Sequence, residues 1–460
     1  MSETDRANEA ERLGTEEVAR RLGVKRETVY AYVSRGLLAR HPASGPHRSE
    51  FDPGEVERLA ARARRPDRSS ALEVVVETEV TLLEPAGRLS YRGRDAVELA
   101  RFRSFEEVVA LLWDGAPPTP WGLDDERGLA IAALGAALGP AAPDAERIAA
   151  VVTLLAARDP HRDDRTPDAV RRAGATIFAA VLPALDRGRA DPATARVGPT
   201  AREEPGQGTT AGEERRTSFA DGTVGAGRAN AETAAAGISA RLWEVLADGA
   251  KPRPEQAAAL NAALVLLADH ELAASTFAAR VAASAWAGPY RAVLAGLGPL
   301  GGSLHGGAGR AVEALLEEVI AGADPGAALD ARLAAGAVPG FGHRVYRDRD
   351  PRADHLLGRL GLPSGGPRSP VGPPRSRTGP AAAAAAALLA GAAGRELPAP
   401  NVDFALAALV KAHGLRDGSS ATIFTVARIA GIVAHALEEY EYRLRFRPRA
   451  SYVGPRPTSW

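Results

Sequence analysis

The sequence predicts an all-α protein that carries a small winged helix-turn-helix domain at its N-terminus. Alanine- and leucine-rich stretches recur from residue 105 onward and are separated by Pro or Gly, which is typical of packed helices. Hydrophobic residues make up 45% of the 460 residues, enough to form a large core. Residues 1–68 have their own helix caps, turn and apolar positions, so we expect them to form a separate unit.

The N-terminal unit begins with a short helix. Thr15 is a suitable cap for a helix that ends at Leu22, and acidic residues occupy its first turn. Gly23 and Val24 then form a tight turn, and Arg26–Ser34 repeats the helical pattern. This arrangement predicts a helix-turn-helix.

A basic, turn-rich segment follows at Arg40–Arg48 and could form a wing, and a capping box at Asp52–Glu55 opens a third helix. The unit resembles the DNA-binding domains of excisionases and mercury-resistance-type regulators. The resemblance implies that the second helix contacts DNA. The candidate contacts are Arg26, Thr28, Tyr30 and Arg35. The alternative is an interaction module without DNA affinity, because one such unit alone makes few phosphate contacts.

The rest of the chain is predicted to be helical. A Val- and Thr-rich stretch at Val74–Leu83 predicts a short strand pair before the helices begin. The predicted helices are Phe105–Trp113, Gly128–Leu138, Ala145–Ala157, Pro167–Leu185, Ala234–Leu246 and Pro254–Leu267. Asp186–Asn230 has few apolar residues and is expected to be a flexible surface insertion, and Leu362–Pro380 is expected to be a second irregular loop.

Charge and composition exclude several classes of function. Equal counts of 57 basic and 57 acidic residues give no overall field that would attract nucleic acid or a membrane. The absence of cysteine excludes disulfides, cysteine nucleophiles and thiolate metal sites. The first residues lack the apolar stretch of a secretory signal, and the longest apolar run, Ala381–Gly394, is too short to span a bilayer. We therefore expect a cytoplasmic protein that does not interact with membranes.

Three distant segments each place an acid-base side chain in an unusual context. His305 lies among glycines in Gly301–Gly309, where backbone can approach a bulky thioester closely. Pro339–Arg352 combines His343 with four arginines, which is typical of a polyanion site. Asp403 follows Asn-Val and precedes an apolar helix. Two histidines and one aspartate suit proton abstraction next to a carbonyl group.

Together with Asp269–Arg280, these segments resemble the citrate synthase family in order and spacing, and the likeness runs from about residue 70 to the end. The resemblance implies a citrate synthase fold with a large and a small helical domain. The expected domains are 1–68 (helix-turn-helix), 69–305 (large domain, with the insertion at 186–230), 306–408 (small domain) and 409–460 (return to the large domain).

The resemblance also implies roles for the three acid-base residues. Asp403 would remove a methyl proton from the acyl thioester, although an aspartate in this position is otherwise a common helix cap. His305 would donate a hydrogen bond to the thioester oxygen and stabilise the enol. His343 would protonate the carbonyl oxygen of oxaloacetate as the carbon–carbon bond forms.

Further residues match the family's ligand-binding positions. Oxaloacetate would be held by His270, Arg352, Arg428 and, from the neighbouring subunit of a homodimer, Arg447, which could otherwise be an exposed tail arginine. The coenzyme would contact Arg347 through a phosphate and the backbone of Val338, Gly340 and Gly342 through its adenine. We expect no catalytic metal and no bound cofactor, because a coenzyme A thioester is a co-substrate.

The leading hypothesis is therefore condensation of acetyl-CoA, oxaloacetate and water to citrate and free coenzyme A. One alternative is a 2-methylcitrate synthase that uses propionyl-CoA, since the two reactions require the same catalytic set. Another is a DNA-binding regulator that keeps a citrate synthase body as a metabolite sensor. Retention of a complete set of catalytic residues disfavours a body that only senses ligand.

Overall fold

The computed structural model divides the chain into two compact units, Met1–Glu77 and Thr78–Trp460. It describes residues 13–22, 29, 33, 38, 41–42, 49–54, 56, 75–115, 121–187, 237–302, 305–363, 379–443 and 445–448. The predicted DNA contacts Arg26, Thr28, Tyr30 and Arg35 lie outside these residues, as do residues 188–230 of the predicted insertion and 364–378 of the predicted loop.

The first unit contains a small antiparallel sheet and a helix. Its described elements are β1 (Leu13–Gly14), α1 (Thr15–Leu22), β2 (His41–Pro42) and β3 (Ser49–Phe51). Strand β3 lies between β1 and β2. The buried apolar residues of this unit are Val18, Ala19, Val29, Leu38, Phe51 and Val56. Strands β2 and β3 pair antiparallel and flank the segment predicted to form the wing.

The second unit opens with a three-stranded antiparallel meander. Its strands are β4 (Thr81–Glu84), β5 (Arg88–Tyr91) and β6 (Arg94–Asp95). The strand pair predicted within Val74–Leu83 is therefore wrong, because residues 75–80 form no strand and β4 pairs with the segment after it. The backbone N–H of Glu79 donates to the Glu438 carboxylate at 2.6 Å instead of to a strand neighbour.

Helices make up most of the described chain after β6. The described helices of this unit are α2 (Ala96–Phe102), α3 (Phe105–Leu112), α4 (Asp125–Leu138), α5 (Asp144–Arg158), α6 (Pro167–Leu185), α7 (Ile238–Leu246), α8 (Pro254–Leu267), α9 (Ala274–Ser284), α10 (Pro289–Leu300), α11 (Ala308–Ile320), α12 (Pro325–Ala334), α13 (Pro351–Arg359), α14 (Pro380–Ala393), α15 (Val402–Ala412) and α16 (Ser419–Tyr442).

The predicted helices agree closely with these bounds, and the main difference has a local cause. Helix α4 begins three residues before the predicted start, because the Asp124 carboxylate caps it by accepting the backbone N–H of Arg127 at 2.7 Å. The Ala234 start predicted for α7 lies outside the described residues, and the described helix begins at Ile238.

Helix α16 forms the centre of the second unit and packs against α6, α8, α9 and α10. It is long and apolar enough to cross a membrane by length and composition, but 89% of its most apolar window is buried inside the protein. It is therefore a core helix. Near it, α15 packs against α11, α13 and α16, which brings the ends of several helices to one place.

Candidate active site

Residues that are far apart in the sequence meet near the ends of these helices. The ring centroids of His270 and His343 are 5.2 Å apart, and Arg352 Nη2 lies 3.2 Å from His343 Nε2. Phe424 joins the other side of the site, since its ring lies 5.7 Å from that of His305 and 4.7 Å from the Arg428 guanidinium carbon. The structure thus places these histidines and arginines around one site.

His305 lies just before α11 and is held by a buried serine. Its Nε2 is 2.9 Å from the hydroxyl of Ser275, in the first turn of α9. Because Nε2 is occupied, Nδ1 is the ring nitrogen left for a ligand. Burial, assisted by the charge of Arg428, lowers the pKa of His305 to about 4, so the ring is neutral at pH 7.

The tautomer of His343 follows from its backbone contacts. Its Nδ1 accepts the N–H groups of Val345 at 3.0 Å and Tyr346 at 3.2 Å, so the proton of the neutral ring is on Nε2. Burial and the neighbouring Arg352 lower the pKa of His343 to about 4. The Nε2 proton and the Arg352 guanidinium therefore both donate toward the same space, which suits a ligand oxygen.

His270 is oriented by a tyrosine. Its Nε2 lies 3.2 Å from the hydroxyl of Tyr346, and the two rings meet edge to face. Burial lowers the pKa of His270 well below its usual value, and the charges of Arg352 and Arg428 lower it further. His270 is therefore a neutral hydrogen-bonding group rather than a cation.

Arg428, on α16, is the most informative side chain of the site. It is 1% exposed, and its Nε donates to the carbonyl of Leu267 at 3.1 Å. Its Nη1 and Nη2 are buried and have no hydrogen-bond partner among the described residues. Unpaired buried donors are costly, particularly on a cation, so the arrangement is typical of a guanidinium that binds an anionic ligand.

Arg352 differs from Arg428, because its guanidinium is already paired. It forms a bidentate ion pair with Asp350, with both N–O distances at 2.9 Å, at the start of α13. Asp350 also accepts the backbone N–H of Val402 at 3.0 Å, which links α13 to α15. Arg352 is thus held rigidly, with its Nη2 3.2 Å from Nε2 of His343.

Asp403 lies in the first turn of α15, but it does not cap that helix. Asn401 is the cap, since its side chain accepts the N–H groups of Asp403 at 3.0 Å and Phe404 at 3.4 Å. No described residue hydrogen-bonds the Asp403 carboxylate. Burial raises its pKa to about 6, although the charge of Arg352 opposes the shift. Such a carboxyl group suits proton abstraction near neutral pH.

The Gly340–Gly342 segment connects the His343 loop to Asp403. Gly342 N–H donates to Ala399 at 2.8 Å, and Asn401 N–H donates to Gly340 at 2.9 Å. Both glycines have positive φ, +86° and +79°, which favours glycine. Val338 is 8% exposed. Several of the polar groups predicted to contact an adenine are therefore used within the chain, namely the Gly342 N–H and the carbonyls of Gly340 and Gly342.

The arginines of the Pro339–Arg352 segment face different surroundings. Arg344 and Arg347 are exposed, and no ion pair joins either to a described residue. Arg349 is paired with Asp354 through Nε at 2.9 Å. Arg447 is also exposed in the single chain, beside Phe446, whose ring packs 5.7 Å from that of Phe277.

Sequence reasoning did not find Ser275, Tyr346 and Asn401 as partners of the site residues. Tyr346 and Asn401 lie within the predicted motifs, and asparagine is among the residue types preferred at a helix N-cap. Nothing local distinguishes Ser275 from other helix serines. Its contact with His305 depends on how α9 packs.

One carboxylate cluster could be mistaken for a metal site. Glu313, Glu317 and Asp417 lie close enough together to share an ion. The Lys411 ammonium already lies among them, 2.7 Å from Asp417, 3.9 Å from Glu313 and in hydrogen-bond contact with Glu317. A lysine thus supplies the positive charge in this part of the chain.

The family described as "Citrate synthase, C-terminal domain" matches residues 71–449. The chain belongs to the citrate synthase family. This family consists of acyltransferases that need no metal or cofactor and use coenzyme A as part of a substrate. The match leaves most of the N-terminal unit outside the family's shared region.

Relatives within the citrate synthase family carry more than one name. A citrate synthase of Haloferax volcanii is 32% identical over 397 residues, covering 83% of this chain and 94% of that protein. A 2-methylcitrate synthase of Mycobacterium tuberculosis is 30% identical over 409 residues, covering 85% of this chain and 91% of that protein.

Solved citrate synthases share the fold. The crystal structure from Pyrobaculum aerophilum superposes with a TM-score of 0.57 at 26% identity, covering 84% of this chain and 92% of that one. The Thermoplasma acidophilum enzyme, a ternary complex with carboxymethyl coenzyme A and oxaloacetate, gives a TM-score of 0.59 at 22% identity, covering 84% and 96%.

Proposed function

We propose that this citrate synthase family member condenses acetyl-CoA with oxaloacetate and water to give citrate and free coenzyme A. The observation that carries the proposal is the buried Arg428 guanidinium, whose two terminal nitrogens are unpaired beside neutral histidines and a carboxyl group of raised pKa. A dicarboxylate would satisfy those donors, and the carboxyl group would be the base.

Enolisation of the thioester uses Asp403 and His305 together. Asp403 removes a proton from the acetyl methyl group, and negative charge develops on the thioester oxygen. In the tautomer in which Nε2 of His305 accepts from the Ser275 hydroxyl, 2.9 Å away, the Nδ1–H group donates to that oxygen. A neutral imidazole N–H is an effective donor here, because its pKa is closer to the pKa of an enol. The pKa of a charged imidazolium is further away.

Oxaloacetate binds on the opposite side of the site. Its carbonyl oxygen lies beside the neighbouring Nε2 of His343 and Nη2 of Arg352, which are 3.2 Å apart, and accepts a hydrogen bond from each. One carboxylate binds the free nitrogens of Arg428, and His270 donates to the substrate through Nδ1. The new bond forms as His343 transfers its proton, and water then cleaves the thioester to release citrate and coenzyme A.

A 2-methylcitrate synthase that uses propionyl-CoA is the second candidate. It is favoured by the Mycobacterium tuberculosis relative of that name, since the match covers 91% of that relative and 85% of this chain. The chemistry of the two reactions is the same. An extra methyl group in a pocket changes transition-state binding by about 1 to 3 kcal/mol, so a small change in the acyl pocket decides the preference.

A purely sensory role agrees less well with the site. A metabolite sensor requires the arginines that hold the ligand. It does not require a buried carboxyl group whose pKa is raised toward neutral pH. Asp403 has that property, and Asn401 relieves it of any role as a helix cap.

The deciding experiment measures steady-state release of free thiol from acetyl-CoA and from propionyl-CoA, each with oxaloacetate. We expect turnover with a higher kcat/KM for acetyl-CoA. Arg428→Gln should raise the KM for oxaloacetate at least about 100-fold, because a buried charge-assisted pair is lost. Arg158→Gln is the matched control, since this exposed arginine pairs with Glu126 at 2.7 Å and with none of the residues assigned to the site. Wild-type protein that releases no thiol from either substrate would overturn the proposal.

We further propose that two chains form a homodimer in which Arg447 completes the neighbouring site. In the single chain Arg447 is exposed and contacts no described residue of the site. Exposed apolar side chains on nearby elements support an interface. They are Val281 within α9, Trp286 just after α9 and Tyr442 at the end of α16, which are 39%, 41% and 40% exposed.

For the N-terminal unit we propose a winged helix-turn-helix that binds DNA through Arg26, Thr28, Tyr30 and Arg35. The antiparallel pairing of β2 with β3 supports the wing predicted at Arg40–Arg48. An interaction module without DNA affinity is the alternative outcome. Gel-shift titration of the full chain at low and moderate salt distinguishes the two, because DNA binding through phosphates weakens steeply with salt.

A further inference from the structure

Three residues on one face of α16 contact three consecutive residues that precede His270. Arg428, Gly431 and His435 are spaced three and four residues apart, so they share a helix face. Arg428 Nε donates to Leu267 at 3.1 Å, and Gly431 N–H donates to Ala268 at 3.0 Å. His435 Nε2 lies 3.2 Å from Asp269 Oδ2. The helix and the Leu267–Asp269 segment are therefore joined at every residue of the segment.

Gly431 allows this approach because it has no side chain. A Cβ at this position would lie 2.1 Å from Asp269 Oδ1 and 2.6 Å from the carbonyl oxygen of Ala268. Both distances are far shorter than a van der Waals contact. Any larger residue would thus push the segment away from α16.

Asp269 is locked from two directions. Its Oδ2 accepts the backbone N–H of Glu271 at 2.9 Å as well as the contact from His435. Glu271 has a φ of +56°, which is unfavourable for a non-glycine residue. The backbone on both sides of His270 is consequently held by one fully buried carboxylate.

The tautomer of His435 is set by a buried arginine. Arg280 Nη1 lies 3.0 Å from His435 Nδ1. Since arginine only donates, Nδ1 accepts this hydrogen bond, and Nε2 carries the ring proton and donates a hydrogen bond to Asp269. Arg280 is held by Glu439 at 2.9 Å and by Glu438 at 2.5 Å. A buried ionic network of this kind is weak evidence for added stability, and its effect here is on the geometry of His435.

We propose that Gly431, Asp269 and His435 form a positioning clamp that sets the spacing between His270 and Arg428. The proposal rests on the proposed function, in which these two residues hold oxaloacetate. The three clamp residues act through others and need not touch the substrate. The clamp should therefore affect the binding of oxaloacetate and leave the binding of the thioester alone.

Gly431→Ala tests the spacing directly. We expect the KM for oxaloacetate and its calorimetric Kd to rise at least about tenfold, since misplacement of a binding group by about 1 Å has large effects, while the KM for acetyl-CoA changes less than about twofold. Gly288→Ala is the matched control. A Cβ there would lie 2.3 Å from the backbone oxygen of Arg162, at the end of α10 that is far from His305.

The Gly288→Ala chain should lose stability without a selective change in the KM for oxaloacetate. Equal effects of the two glycine variants on both KM values would overturn the clamp. So would an unchanged oxaloacetate Kd in Gly431→Ala. A wild-type chain that does not bind oxaloacetate at all would instead overturn the proposed function, so the two failures are distinguishable.

A pair of substitutions at Asp269 tests the same idea without steric clash. Asp269→Asn keeps an acceptor for Glu271 and His435, and we expect its KM for oxaloacetate to stay within about twofold of wild type or to fall. Asp269→Ala removes the acceptor and should raise that KM about tenfold. If both variants have the wild-type KM, or both raise it equally, Asp269 does not position the site.

Discussion

Asp403, His305 and His343 are common residue types whose surroundings change their protonation. Burial raises the pKa of Asp403 to about 6 and lowers that of both histidines to about 4. From about pH 6 to neutral pH, the Asp403 carboxyl group is therefore ionised while both imidazoles are neutral. The site therefore contains one base and two neutral donors at the pH where a cell operates.

The first prediction concerns Asp403→Asn. The amide keeps the shape of the side chain but cannot accept a proton, so kcat should fall by about 10²- to 10⁴-fold. Oxaloacetate binding, measured by calorimetry, should remain within about threefold of wild type because Asp403 acts in the transition state. Near-normal turnover of this variant would exclude Asp403 as the base.

The pH dependence of kcat follows from the same residue. A base must be ionised to act, so activity should be present above about pH 6 and should decline as the pH falls through that value. The histidines do not limit this range, because they become charged only near pH 4. A pH–rate profile whose acid limb has its midpoint near 4 would contradict the assignment.

At the scale of elements, a short backbone bridge joins the two halves of the site. Phe341 pairs with Pro400, and hydrogen bonds on both sides connect Gly340 and Gly342 to Ala399 and Asn401. This bridge sets the distance between the His343 loop and the start of α15. Under the proposed function, catalytic geometry depends on these backbone groups as well as on the side chains of His343 and Asp403.

Gly340→Ala tests that bridge. An added Cβ would lie 2.9 Å from Val312 and 3.0 Å from Phe404, the neighbour of Asp403, so kcat should fall about tenfold or more. Gly336→Ala is the control. It has a similarly positive φ, +111°, but no atom within 4 Å of the added Cβ. Both variants should lose stability, and a similar loss of kcat in both would attribute the effect to backbone strain alone.

At the scale of the whole molecule, the two compact units have separate cores and divide the chain near Thr78. All the residues assigned to chemistry lie in the second unit. The first unit contributes none of them, and its apolar residues pack with one another. We therefore expect catalysis and any DNA binding to be separable.

Hybrid dimers test the role proposed for Arg447. Subunits carrying Arg447→Ala are mixed with subunits carrying Asp403→Asn, and the hybrids are purified by two affinity tags. If Arg447 acts across the interface, each hybrid has one intact and one doubly defective site and should show about half of wild-type activity per dimer. Absence of activity in verified hybrids would place Arg447 in its own subunit's site, and full activity of the Arg447→Ala homodimer would place it outside catalysis.

Removal of the first unit tests its independence. A chain that begins at Ser69 keeps Thr78 and Glu79, which contact Glu438 at 2.8 and 2.6 Å, so the second unit retains its own contacts. Its kcat and both KM values should stay within about twofold of the full chain, while gel-shift binding of DNA disappears. A folded but inactive product would show that the first unit supports the active site.

Much of the fold could be predicted from sequence because helix signals are local. Pro167–Leu185 and Pro254–Leu267 were predicted with the observed bounds, since a proline at the first turn and an apolar run define each helix. The strand pair predicted at Val74–Leu83 was wrong. Strand pairing depends on a partner elsewhere, and the Glu438 carboxylate engages the Glu79 N–H instead.

The sequence alone determined which residue types the proposed chemistry uses, because the glycine-rich and arginine-rich motifs around His305 and His343 are contiguous. Only the tertiary structure decided their protonation, partners and free donors. Burial by α15 and α16, the pairing of Arg352 with Asp350 and the unpaired nitrogens of Arg428 all depend on groups brought together across long sequence separations. Electrostatics and packing act through space, so no local pattern encodes them.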